Sequence, residues 1–158
     1  MKTNLKKAVR DMDRAEDYRI GKTVRGDEIR AARLARKALR QFKQLARGKQ
    51  AGHEIAARWA AILVANNEVV AGGKPTAASL AAARPFFKLA VLGGSQAAAH
   101  DWACYEFWYG RGEKVAKEID LRGLMLARTQ HEDRVGYQLF WNIWYGEPMP
   151  GGPIEELA

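Results

Sequence analysis

His100 and Cys104 stand four residues apart, the spacing that puts an imidazole and a thiol on one face of a helix. Such a pair could form half of a metal site or a thiol–imidazole nucleophile. Cys104 is the chain's single cysteine, and the other histidines, His53 and His131, fall in other segments. A buried thiol beside a partly satisfied imidazole is therefore the plainer expectation. Other matches to chemical motifs are also incomplete. Gly21-Lys22-Thr23 ends like a phosphate-binding loop, but Glu16 occupies the place of the first glycine and no strand precedes it. His53-Glu54 lacks the second histidine of a zinc-protease helix. Asp101 and Glu106 are five apart and point to different helix faces, so they do not make a paired acid and base. Arg25-Gly26-Asp27 is a chance match. These residues predict no enzyme, no metal and no cofactor.

A stronger pattern lies in the segment EIRAARLARKALRQFKQLARGK. On a helical wheel, Arg30, Arg33, Arg36, Lys37, Arg40, Lys43 and Arg47 fall within an arc of about 140°. Leu34, Ala35, Ala38, Leu39, Phe42, Leu45 and Ala46 take the opposite side. No acidic residue follows Glu28 in this helix, although cations one turn apart repel. Five of the seven cations are arginine, which suits carboxylate and phosphate forks better than lysine does. The stripe reads as a solvated face, as a contact for nucleic-acid phosphates, or as a dock for an acidic protein surface. The apolar side holds Ala and Leu without Trp, which disfavours a membrane surface. The glutamines Gln41, Gln44 and Gln50 aside, the helix offers little to read bases with, so any nucleic-acid contact would be to the backbone.

The second pattern is aromatic. Residues 101–146 contain 10 of the chain's 15 aromatic side chains. Trp-Tyr-Gly occurs twice, at Trp108-Tyr109-Gly110 and Trp144-Tyr145-Gly146, with a period of 36 residues. A period of this size marks stacked helical hairpins, each needing a neighbour to cover its apolar face. Trp102, Tyr105 and Tyr109 share one face of their helix, and Ala99, Ala103 and Phe107 another. Tyr137, Trp141 and Trp144 oppose Val135, Leu139 and Ile143. These rings either pack between hairpins or, as Trp102, Tyr105, Tyr109, Tyr137, Trp141, Trp144 and Tyr145, form an aromatic patch for a protein partner.

Charge divides along the chain. The net charge is +8, made of +10 in residues 1–50, +2 in 51–100 and −4 in 101–158. The basic excess at one end suggests an anionic partner. No apolar run is long enough to span a bilayer, no secretory signal is legible at the N-terminus, and the lone cysteine fits a reducing compartment; a cytoplasmic protein is expected.

Caps and breakers set the elements. Helices are expected over about 4–18, 28–47, 52–70, 77–92, 96–109, 113–127 and 130–145. Asp27, Thr76 and Ser95 are the expected N-caps, and Thr129 with Glu132 makes a capping-box pattern. Gly48, Gly72-Gly73, Gly93-Gly94 and Gly110-Arg111-Gly112 are the breaks. The expectation is an all-α chain: an N-terminal helical arm and linker over 1–26, three stacked hairpins forming a short α-solenoid over 27–146, and an irregular Pro/Gly tail over 147–158.

The stretch LAVLGGSQAAAHDWACYEFWYGRG resembles the Sel-like subclass of tetratricopeptide-type repeats, with Ala103-Cys104 in the small-residue position and Phe107-Trp108 as the aromatics before the turn. LARTQHEDRVGYQLFWNIWYG is similar, with Phe140 where the family has a small residue. The resemblance covers about residues 77–146. It implies a protein-interaction scaffold, an adaptor or regulator, without cofactor or catalytic residues.

Overall fold

Strong local stop signals decide where the helices end. A computed structural model describes residues 4–19, 27–48 and 50–129 of the chain. Six helices follow in order: α1 (Leu5–Arg19), α2 (Asp27–Ala46), α3 (His53–Ala65), α4 (Ala77–Leu92), α5 (Gln96–Tyr109) and α6 (Glu113–Thr129). The chain is all-α, and no strand occurs among the described residues. The expected seventh helix, the capping-box pattern reaching Glu132, and the tail lie outside the described residues.

Caps account for the sharpest boundaries. Thr76 accepts the Ser79 N–H at 3.0 Å, and Ser79 Oγ accepts the Thr76 N–H at 2.9 Å, which closes a reciprocal capping box at the start of α4. Ser79 also donates to the Ala65 carbonyl at 2.7 Å, so this cap binds the start of α4 to the end of α3. Ser95 accepts the Ala98 N–H at 3.1 Å and starts α5. Asp27 is the first residue of α2 rather than the residue before it.

α3 ends at Ala65, earlier than the expected Val70. The apolar pair Val69-Val70 prolongs the helical pattern in sequence, but Asn66 and Asn67 interrupt it. Asn67 adopts φ 55°, a left-handed conformation that asparagine tolerates. Its side chain donates to the Lys74 carbonyl at 2.9 Å and folds the connection back on itself. Within α4, Pro85 sits in the interior without ending the helix. Its ring is exposed, and the buried Ala83 and Phe87 on either side hold the helix in place.

The stack of hairpins is present. α1 packs most extensively on α2, α3 on α4 and α5 on α6, while α2–α3 and α4–α5 join successive pairs. The pairing begins one helix earlier than expected. The N-terminal helix is not an arm ahead of the stack but the first leg of the first hairpin. Ala8 and Ala15 are buried, and Asp11, only 4% exposed, accepts the Gln41 amide at 2.8 Å and faces Lys37 Nζ at 3.6 Å. Its small apolar face looked weak in sequence because alanine contributes little to hydrophobic contrast.

Alanine fills much of the core. Ala35, Ala38, Ala56, Ala57, Ala60, Ala61, Ala83, Ala90, Ala98 and Ala99 are all fully buried. Small side chains bring helix axes close, and Phe42, Leu63, Leu80, Phe87 and Trp102 fill the remaining space. α5 and α6 approach closely at Gly123. A β-carbon placed on Gly123 would lie 2.0 Å from Ala99 Cβ, so only glycine fits there.

Candidate functional site

The basic stripe is a surface feature. Arg30, Arg33, Arg36, Lys37, Arg40 and Arg47 are exposed, and Lys43 is partly buried. The segregation follows from α2 burying Ala31, Ala32, Ala35, Ala38, Leu39, Phe42 and Ala46 against its neighbours. Arg47 lies one residue past the helix, but its N–H still reaches the Lys43 carbonyl at 3.3 Å and keeps it in line. Two of the cations have intramolecular partners at the edges of the stripe. Lys37 faces Asp11, and Lys43 Nζ sits 5.4 Å from the Phe86 ring centre. Arg30, Arg33, Arg36, Arg40 and Arg47 have no carboxylate partner among the described residues.

The aromatic patch divides differently. Trp102 is fully buried and therefore belongs to the core, not to a docking surface. Its ring stacks on Phe87 at a centroid distance of 6.1 Å, and its Nε1–H donates to Glu106 at 3.0 Å. Tyr105 is half-buried, packs on Phe87, and donates its hydroxyl to Asn66. Burial pushes the Tyr105 hydroxyl up to about 12, with the charges of Glu68 and Asp101 adding to the effect. Tyr109 is exposed at the end of α5. Tyr137, Trp141, Trp144 and Tyr145 lie outside the described residues.

Beside Tyr109, the exposed aromatics of α5 are Phe107 and Trp108, 47% and 73% exposed, in an edge-to-face pair with ring centres 4.9 Å apart. The wheel placed Phe107 with Ala99 and Ala103, both buried. Phe107 itself, in the last turn of α5, is about half exposed.

A heavily bonded group at the same end of α5 has no clear sign in the sequence. Glu106, which the spacing separates from Asp101, has a fully buried side chain. Arg84 of α4 binds it in a fork, Nε at 3.0 Å and Nη2 at 2.8 Å. Arg111 adds its backbone N–H at 3.2 Å and its Nε at 3.1 Å. Burial by itself would raise the Glu106 carboxyl, but hydrogen bonds from Arg84 and Arg111, with their charges, overcome it and bring the group down to about 2. The Glu106 carbonyl accepts the Gly110 and Gly112 N–H groups at 3.2 and 2.9 Å. A β-carbon on Gly110 would come 2.1 Å from Glu106 Oε1 and 2.7 Å from Leu80 Cδ2. The glycine of the Trp-Tyr-Gly motif thus leaves room for a buried carboxylate. The legible signal was an acid between tryptophans, with arginine following the turn.

The groups considered for chemistry are dispersed. His100 and Cys104 are exposed; Cys104 Sγ lies 3.8 Å from His100 Nε2, and Asp120 Oδ1 lies 3.6 Å from His100 Nδ1. The thiol is at the surface rather than buried as expected. Asp101 is held by Arg58 Nε at 2.6 Å. His53 pairs with its neighbour Glu54. Among the described residues, no group of three or more His, Cys, Asp or Glu side chains is placed to hold a metal ion. No helix there is long and apolar enough to cross a membrane. The Gly21-Lys22-Thr23 and Arg25-Gly26 segments lie outside the described residues.

No protein-family model, curated protein or solved structure matches the chain.

Proposed function

We propose that the protein is a non-enzymatic binding scaffold, an adaptor or regulator of the helical-repeat type, that docks an acidic protein surface on the basic face of α2. The observation that carries this reading is the set of five exposed arginines without carboxylate partners among the described residues. A solvated helix face normally interleaves Glu with its cations, because cations spaced one turn apart repel. Holding them together costs stability, which an anionic partner recovers on binding. The burial of Trp102 moves the weight of the reading from the aromatic face to the basic one, leaving Phe107, Trp108 and Tyr109 as accessory contacts.

A second reading, contact with nucleic-acid phosphates through the same stripe, is favoured by the predominance of arginine over lysine. One titration separates the two. Labelled polyglutamate, duplex DNA, single-stranded DNA and RNA are each mixed with the protein at roughly 50 and 200 mM salt and followed by fluorescence anisotropy. Binding of polyglutamate that is lost in the Arg33→Glu/Arg40→Glu variant supports the acidic-protein reading. Preference for a nucleic acid promotes the second reading. Failure of every polyanion at the lower salt overturns both.

A further inference from the structure

The cations of α2 do more than share a face. Ile29, Arg33, Arg36, Arg40, Lys43 and Arg47 follow one another at alternating steps of four and three residues. Steps of that kind keep successive side chains within an arc of about 80°, so these six form one straight seam running the length of the helix. One cation stands on each turn, about 5 Å from the next along the axis. Arg30 and Lys37 lie beside the seam, on the edge where Lys37 meets Asp11 of α1. On the other edge Lys43 is fixed over Phe86 of α4. The first position of the seam is apolar: Ile29 is 57% exposed.

Given the acidic-docking reading above, on which this rests, we infer that the occupant is an acidic α-helix lying along α2. Its carboxylates would recur at the same three- and four-residue steps, with one apolar side chain opposite Ile29. The spacing is the argument. An α-helix has the same rise as α2, so carboxylates at the complementary positions stay in register with one cation on every turn. A duplex presents about one charge per 1.7 Å of its axis along two curving strands, which a straight row of one cation per turn matches only locally. An acidic coil can meet the charges but has no reason to favour this period. The same electrostatics sets the occupant's behaviour when free. Carboxylates three and four apart repel on an isolated helix, so the segment would be largely unfolded alone and would become helical as the arginines neutralise it. Ile29 marks one end of the seam and so gives the complex a direction.

The test compares two labelled peptides of about 25 residues and identical composition. One carries Glu at the three–four spacing with one leucine positioned for Ile29; the other has the order scrambled. Each is titrated with the full chain and followed by anisotropy and by the change in circular dichroism at the peptide's helical band. The spaced peptide should bind about tenfold more tightly than the scrambled one, as four added ion pairs of ordinary strength would give, and should gain helical signal on binding. Arg33→Glu/Arg40→Glu should abolish both effects while the protein's own helical spectrum is unchanged, since both side chains are exposed. Equal binding of the two peptides with no gain in helix overturns the acidic helix and leaves the acidic-docking reading standing. Failure of both peptides and of polyglutamate overturns that reading as well, whether or not DNA binds.

Discussion

Trp102 and Glu106 lie one helical turn apart on α5, and the indole N–H of the first is bonded to the carboxylate of the second at 3.0 Å. The contact closes a small polar cluster between α4 and α5. Arg84 from α4 and Arg111 from the turn after α5 complete it. Removing the carboxylate leaves Arg84 without its main partner and costs the burial already paid by the arginines. Glu106→Ala should therefore lower stability by about 3–5 kcal/mol, as read by urea denaturation. A smaller loss than from an exposed-site control such as Glu113→Ala would show that the cluster is dispensable.

Acid should expose the same group. The Glu106 carboxyl lies at about 2 in the fold, against an ordinary 4.5. A carboxyl depressed by folding binds fewer protons in the native than in the unfolded state, so its stabilisation is complete above pH 4.5 and is lost as the pH falls toward 2. A shift of that size amounts to about 3 kcal/mol. Glu68 runs the other way: burial raises its carboxyl against the pull of Arg19, so its charged form weakens the fold as the pH rises. Thermal melts of the wild type between pH 2 and 5 should slope steeply, and Glu106→Gln should flatten that slope.

The two tryptophans near the first Trp-Tyr-Gly motif should part company on truncation. Trp102→Ala empties a fully buried site and should cost about 3–5 kcal/mol. Trp108→Ala removes a ring that is 73% exposed and should change stability by less than about 0.5 kcal/mol. Paired denaturation curves decide this, and equal losses would contradict the placement of the two rings.

Gly123 and Ala99 offer a test by exchange. Gly123→Ala drives a methyl group into Ala99 Cβ and should separate α5 from α6, lowering stability by about 1–3 kcal/mol. Ala99→Gly removes the obstructing methyl. The double variant should recover most of the loss, less about 1 kcal/mol for glycine in a helix interior. Additive losses in the double variant would show that some other contact is at fault.

Much of this was written locally in the chain. Thr76, Ser95, Gly48, Gly93 and Gly110 mark helix boundaries because caps and breakers act over three or four residues. The α2 stripe was visible because that helix separates its charged and apolar residues cleanly. α5 does not. Its apolar side chains go nearly all the way round, so periodicity could not say that Trp102 faces α4 while Trp108 faces outward. That distinction depends on where the neighbouring helices lie. The pairing of α1 with α2 was hidden for the same reason: Ala8, Asp11 and Ala15 form its contact face, and only the partner helix shows that a buried aspartate belongs there. The buried cluster around Glu106 was not legible because its counter-charges come from Arg84 and Arg111, and the 22-residue separation from Arg84 has no local signature.

The junction between α4 and α5 has a further consequence. It is a less extensive contact than those within the hairpins, yet several polar bonds cross into α5 from the preceding pair: Arg58 to Asp101, Tyr105 to Asn66, and Arg84 to Glu106. Apolar packing loses strength gradually as surfaces slide, whereas a directional bond is either made or broken. The boundary between the second and third hairpins is therefore a latch. The α5–α6 pair should open as a block, its amides exchanging with solvent together and ahead of those in α3 and α4.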